Sequence, residues 1–199
     1  TYVNALKIIH YMHDKYDYEA FEMSLHDGDV ERTRATGIAG LSIVADSIAA
    51  MKNCRIRIIR DESGLAVDYK IEEGEYMPFG NNCEETDEIA VSLTETFMEY
   101  LRQHRTYRDA VPTQSLLTIT SNVVYGNTGA TPDGRQKGVP FAPGANPMNA
   151  RDVKGAVAAL ASVAKLPFQH SRDGISYTFA IAPSALGKTK DMQADNLTH

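Results

Sequence analysis

Tyr125–Pro147, YGNTGATPDGRQKGVPFAPGANP, holds five of the chain's 14 glycines and four of its 8 prolines, between two apolar segments. Upstream, Leu116-Leu117-Thr118-Ile119-Thr120 reads as a buried strand, and downstream Gly155–Leu166 reads as a helix of small residues. A loop this long inside a compact chain is either functional or disordered. Val139, Pro140 and Phe141 give it apolar anchors, and its prolines restrict the unfolded backbone, so an ordered loop is expected. Its glycines then supply unusual dihedrals or close backbone approach.

Outward from the loop, helical and strand periods alternate. On the N-terminal side, residues 2–15 place Leu6, Ile9 and Met12/His13 at helical spacing, and the HDGDVE segment (His26–Glu31) is a polar break. Leu41, Val44, Ala45, Ile48 and Met51 follow at three- and four-residue steps, with small residues that let this helix lie close to a sheet. The period then becomes two: Ile56 and Ile58, then Leu65, Val67, Tyr69 and Ile71, flank Asp61-Glu62-Ser63-Gly64, which predicts a hairpin with one face buried and one wet. Ile89, Leu93, Phe97 and Leu101 predict a long helix, with acids at its start and Arg102, His104 and Arg105 at its end, as the helix dipole favours. Strands are expected at Ser115–Thr120 and Ile175–Ile181. Interleaved helices and strands make the class α/β, and no linker divides residues 1–199.

The chain has 199 residues, 43% apolar and 23% charged, enough for a real core in a soluble protein. A net charge of −6 disfavours nonspecific nucleic-acid binding, which needs a basic face. No apolar run is long enough to span a bilayer, and the N-terminus lacks the basic start and cleavage site of a signal peptide. Cys54 and Cys83 form no CxxC pattern and fit free thiols in a reducing cytosol. The missing initiator Met suggests a piece of a longer chain.

Ala182–Thr189, APSALGKT, resembles a loosened phosphate-binding loop after a strand. Pro183 removes one backbone donor and Ala182 replaces a glycine, so a polar loop is the expectation. His10 and His13 lie one turn apart but lack the further ligands that zinc needs. Asp27-Gly28-Asp29 begins like a calcium loop without its later acids, and Ser121 and Ser162 lack a nucleophile elbow. Asp133-Gly134-Arg135 stands out. Pro132-Asp133-Gly134 is turn chemistry, and Arg135 then either clamps an anion or closes the loop through carbonyls or an ion pair.

These segments resemble a known family. LTITSNVVYG (Leu117–Gly126), GATPDGR (Gly129–Arg135), PFAPGANPM (Pro140–Met148), KGAVAALASVAKLPF (Lys154–Phe168) and DGISYTFAI (Asp173–Ile181) are similar to pyruvate formate-lyase, a glycyl radical enzyme. ALKIIHYMHDKY (Ala5–Tyr16), RTRATGIAGLSIVADSIAAMK (Arg32–Lys52) and TYRDAVPTQS (Thr106–Ser115) fit the same branch, so the resemblance covers almost the whole chain. It implies part of the second half-barrel of a ten-stranded α/β barrel. The family converts pyruvate and coenzyme A to acetyl-CoA and formate in anaerobic fermentation. It uses a protein glycyl radical, installed by a radical-SAM iron–sulfur activating enzyme, and an adjacent cysteine pair. The resemblance places that pair before Thr1 and the radical-bearing glycine after His199. No catalytic, cofactor-binding or metal residue is therefore expected within the chain, which would be inactive alone. The expected partners are the rest of the parent enzyme, the activating enzyme and a second copy through uncovered strand edges, in the cytoplasm, with no nucleic acid or membrane. A stand-alone interaction module and a nucleotide-binding domain built on residues 182–189 are the alternatives.

Overall fold

The computed structural model describes residues 1–16, 18–25, 28, 30–117 and 122–198. The elements run α1 (Tyr2–Lys15), α2 (Tyr18–Met23), β1 (Thr33–Gly37), α3 (Leu41–Asn53), β2 (Arg55–Arg60), β3 (Ala66–Glu73), α4 (Glu84–Arg102), β4 (Val111–Ser115), α5 (Asn122–Tyr125), α6 (Ala156–Ala164) and α7 (Lys190–Thr198). Among the described residues there are two small sheets: β1 beside β4 in parallel, and the antiparallel hairpin of β2 and β3.

The core forms where α3 and α4 pack on each other and on the chain beyond the glycine loop. Leu41, Ala45 and Ala49 of α3 meet Ile89 and Ala90 of α4, with Phe79, Leu116, Ala145, Val163 and Leu166 closing the cluster. Alanine at these α3 positions allows close helix approach, so the small residues serve helix–helix contact rather than a sheet. α3 and α4 form over the expected stretches, but α4 ends at Arg102, so His104 and Arg105 lie beyond it. Glu84, Glu85 and Asp87 occupy the first turn of α4 and Arg102 the last.

Several expectations change. The face of α1 turned inward carries Val3, Leu6, Lys7 and His10, whereas Ile9 and Met12 are exposed. The hairpin forms around its predicted turn, but neither face is buried: Ile58 and Val67 are each 46% exposed, and only Ile56, Asp68, Tyr69 and Ile71 are half-covered. The strand expected at Ser115–Thr120 lies upstream, at Val111–Ser115, because Arg32–Gly37 offers a parallel edge there; residues 118–120 fall outside those described. Pro112 is tolerated near the strand's start on a two-stranded ladder. Among the described residues, the strand expected at Ile175–Ile181 shows one parallel bridge, between Leu116 and Ile175. Its next groups bond the loop instead: the Ala145 amide donates to the Ser176 carbonyl (2.9 Å), and the Thr178 amide donates to Asn146 Oδ1 (3.0 Å).

Candidate functional site

Beneath the glycine loop lies a buried charged knot. Arg151 Nη1 donates to Asp46 Oδ2 (2.8 Å) and to Asp133 Oδ2 (2.6 Å), and Nη2 donates to the Asp133 carbonyl (3.2 Å). Asp46 comes from the middle of α3, Asp133 from the loop's turn and Arg151 from the chain leaving the loop. The Phe79 amide donates to the second Asp46 oxygen (2.7 Å), Ser47 Oγ to Asp133 Oδ1 (3.2 Å), and the Tyr76 hydroxyl to the Asp133 carbonyl (3.4 Å). Four sequence-distant segments are thereby tied at one guanidinium. Asp46 and Asp133 side chains have no exposed surface, so each carboxylate must be paired to be tolerated there.

Two carboxylates share one guanidinium, and the electrostatics follow. Burial pushes the Asp46 carboxyl up to about 6, opposed by the Phe79 amide and Arg151 and helped by repulsion from Asp133. Burial likewise raises the Tyr76 phenol, with the Asp46 charge adding to it. For Arg151 burial acts downward, yet the two carboxylates outweigh it and hold the guanidinium protonated.

The loop above is closed by Arg135. Its Nη1 donates to the carbonyls of Gln136 (3.1 Å) and Val139 (2.9 Å), its Nη2 to those of Thr128 (3.1 Å) and Gly129 (2.5 Å). The guanidinium also lies 5.0 Å from the centroid of the Phe141 ring, a cation–π distance. Both terminal nitrogens thus donate to the loop's own backbone carbonyls. Pro132 takes the second position of the turn, the Gly134 amide closes on the Thr131 carbonyl (2.9 Å), and Gly134 has φ of 90°.

The other candidates are not brought to this place. His10 packs edge-on against Tyr107 at 5.1 Å, and among the described residues no group of three metal-ligating side chains exists. Ser162 Oγ accepts from the Asn82 amide (2.9 Å), a structural bond. Residues 182–189 form a 3-10 turn at Pro183–Leu186 followed by α7, a longer helix than the chain's end suggested. The Ala185 amide is already paired with the Ala182 carbonyl (2.9 Å), which does not suit a phosphate cradle. Asp27, Asp29 and Ser121 lie outside the described residues.

The model of the family described as "Pyruvate formate lyase-like" matches residues 1–126, and that described as "Glycine radical" matches residues 141–199. The chain belongs to the pyruvate formate lyase-like family. Formate acetyltransferase 1 of Escherichia coli (strain K12) is 63% identical to it over 197 residues, covering 98% of this chain and 26% of that protein. The PFL-like enzyme TdcE of the same organism is 64% identical over the same shares. The chain thus spans about a quarter of the length of these relatives. Among solved structures, a glycyl radical enzyme from Archaeoglobus fulgidus is similar with a TM-score of 0.64 at 22% identity, over 84% of this chain and 23% of that one. The B12-independent glycerol dehydratase from Clostridium butyricum is similar with a TM-score of 0.62 at 26% identity, over 82% and 22%. This pyruvate formate lyase-like chain is a fragment of the barrel fold those enzymes share.

The knot that organises this segment escaped sequence reading, although a signal was present. Asp46 is the lone charge among the apolar and small residues of Leu41–Met51 in α3, and a buried charge there needs a partner. Which arginine supplies it cannot be read from spacing, because Asp46 and Arg151 are 105 residues apart.

Proposed function

We propose that this chain is a wall segment of a pyruvate formate-lyase, which converts pyruvate and coenzyme A to acetyl-CoA and formate through a protein glycyl radical and a cysteine thiyl. The observation that carries this is the 63% identity to Formate acetyltransferase 1 along 98% of the chain. The segment's own part is structural. The Asp46–Arg151–Asp133 knot and the terminal nitrogens of Arg135, which donate to four loop carbonyls, hold the loop Tyr125–Pro147 in place. The radical-bearing glycine, the cysteine pair and the activating enzyme's docking surface belong to the rest of the parent, a soluble cytoplasmic enzyme. Residues 1–199 act as one unit, a reading supported by a core that joins Leu41, Ile89 and Leu116 to Ala145, Val163 and Leu166.

An anaerobic assay with pyruvate, coenzyme A and the activating enzyme tests this. The intact protein containing the sequence is expected to release formate and acetyl-CoA, and the isolated 199-residue chain neither. Formate from the isolated chain would overturn the structural role; none from the activated intact protein would overturn the assigned reaction.

A further inference from the structure

In the buried knot two carboxylates, of Asp46 and Asp133, meet one guanidinium, and Arg151 answers both acids through the same nitrogen, Nη1 (2.8 and 2.6 Å). Neither carboxylate side chain has exposed surface, so the setting of their oxygens is fixed within residues 1–199. The two acids are not held alike. Asp133 engages both ends of the guanidinium, at its carboxylate and at its main-chain carbonyl (3.2 Å), and also accepts from the Ser47 hydroxyl (3.2 Å). Asp46 accepts from one guanidinium nitrogen and from the Phe79 amide (2.7 Å). Other titratable groups surround the three. The Tyr76 hydroxyl, from the chain between β3 and α4, lies 3.5 Å from Arg151 Nη1, and Cys54 at the end of α3 acts on Tyr76. Arg135 acts on Asp133 and Arg151 from the loop, while its terminal nitrogens donate to the loop carbonyls. α4 meets this part of α3 through Ile89 and Ala90, both apolar. One guanidinium against two buried carboxylates leaves a negative charge that the interior tolerates poorly, and a proton on the less tightly held acid removes it.

We propose that the knot is a proton-operated latch on the loop Tyr125–Pro147, with Asp46 as the group that takes the proton. With Asp46 protonated, one carboxylate and one guanidinium remain and the loop is held shut. When Asp46 ionises, the closed state carries a second buried anion. Asp133 lies in the loop and Arg151 in the chain leaving it, so local opening strips Asp46 of its cover and lets water reach the charge. Burial supports the choice of Asp46: it pushes that carboxyl up to about 6 in the closed state, against an ordinary value of 3.8. The closed loop therefore binds the proton more tightly than the open one. The latch is strongest below about pH 3.8, weakens as pH rises to about 6 and is constant above that. This rests on the reading that the knot holds the loop, and does not depend on the reaction assigned to the parent.

The test is hydrogen–deuterium exchange of the intact protein across a pH series from about 4.5 to 7.5, read as protection factors so that the intrinsic pH dependence of amide exchange is divided out. The Gly134, Gly138 and Phe141 amides report the loop, since they donate to the carbonyls of Thr131 (2.9 Å), Gly126 (2.7 Å) and Asn122 (3.2 Å). Amides inside α4 report global unfolding. Loop protection should lie below that of α4, fall by about tenfold between pH 4.5 and 6.5, and then level off. Asp46→Asn should abolish the slope. Asp133→Asn removes the competing carboxylate and should move the fall to lower pH, which keeps a variant in hand should Asp46→Asn fail to fold; the wild-type profile decides alone if neither folds. A flat wild-type profile overturns the latch while leaving the loop held. A slope that Asp46→Asn retains overturns Asp46 as the proton site, and loop protection equal to that of α4 overturns local opening. A loop unprotected at every pH overturns the holding role as well.

Discussion

Asp46 is surrounded on every side by groups that answer its charge: Arg151 and the Phe79 amide in favour, Asp133 and the desolvated α3 face against. Its folded carboxyl titrates near 6, above the ordinary value of 3.8, so the folded state binds a proton more tightly than the unfolded one. The stabilisation from that proton is complete below about pH 3.8 and is lost as pH rises through about 6. The gap corresponds to roughly 3 kcal/mol. Asp46→Asn keeps an acceptor for the Phe79 amide and removes the titration. The difference in unfolding free energy between wild type and variant should therefore change by about that amount between pH 4 and 7. Parallel pH profiles from chemical denaturation would remove Asp46 as the titrating group. At Arg135 the question is shape, not charge. Arg135→Lys keeps the cation but cannot reach four carbonyls in two directions, so it should destabilise by about 2 kcal/mol or more and open residues 125–147 to limited proteolysis. Wild-type protease resistance in that variant would show that the loop closes without the fork.

At the scale of elements, the loop and the chain returning beneath it are locked by close backbone approach. Gly144 has φ of 53°, and a Cβ there would lie 2.6 Å from the Ser176 carbonyl oxygen and 2.8 Å from that of Leu116. Neither atom can move without breaking the Leu116–Ile175 bridge or the Ala145–Ser176 bond. Gly138, at φ of 95°, has nothing within 4 Å of such a Cβ. Gly138→Ala should cost only the left-handed penalty, about 1–2 kcal/mol, whereas Gly144→Ala should cost clearly more and lower Tm further. Equal effects at the two positions would mean that the approach at Gly144 is not tight. The elements legible in the sequence were those whose pattern is local: α1, α3, α4, α6 and the β2–β3 hairpin. β1, Thr33–Gly37, carries no hydrophobic alternation and was invisible, since what makes it a strand is the edge of β4, as between Thr36 and Thr113, 77 positions apart. Residues 175–181 alternate like a strand, but among the described residues Ser176 bonds Ala145 as well as Leu116, and Thr178 bonds Asn146.

On the whole-molecule scale, apolar surface is left open along several faces. Val153, Val157 and Phe168 near α6, Val123 and Val124 in α5, and Ile58 and Val67 on the hairpin are all exposed. A fragment spanning about a quarter of its relatives' length is expected to show such surface where the remainder of a barrel packs. Sedimentation of the isolated chain at micromolar concentration should give a dimer or larger species, and a clean monomer would contradict this. Family and α/β class were legible in the sequence, the first through the resemblance carried by runs such as Leu117–Gly126 and Lys154–Phe168, the second through interleaved helical and strand periods. The loop's turn at Asp133-Gly134-Arg135 was equally legible, because turn chemistry acts within a few residues. Only the tertiary structure could decide that Arg135 closes on carbonyls and that Arg151 joins Asp46 to Asp133. Each of those outcomes depends on which distant groups share a buried volume, where the cost of an unpaired charge, and not local preference, selects the partner.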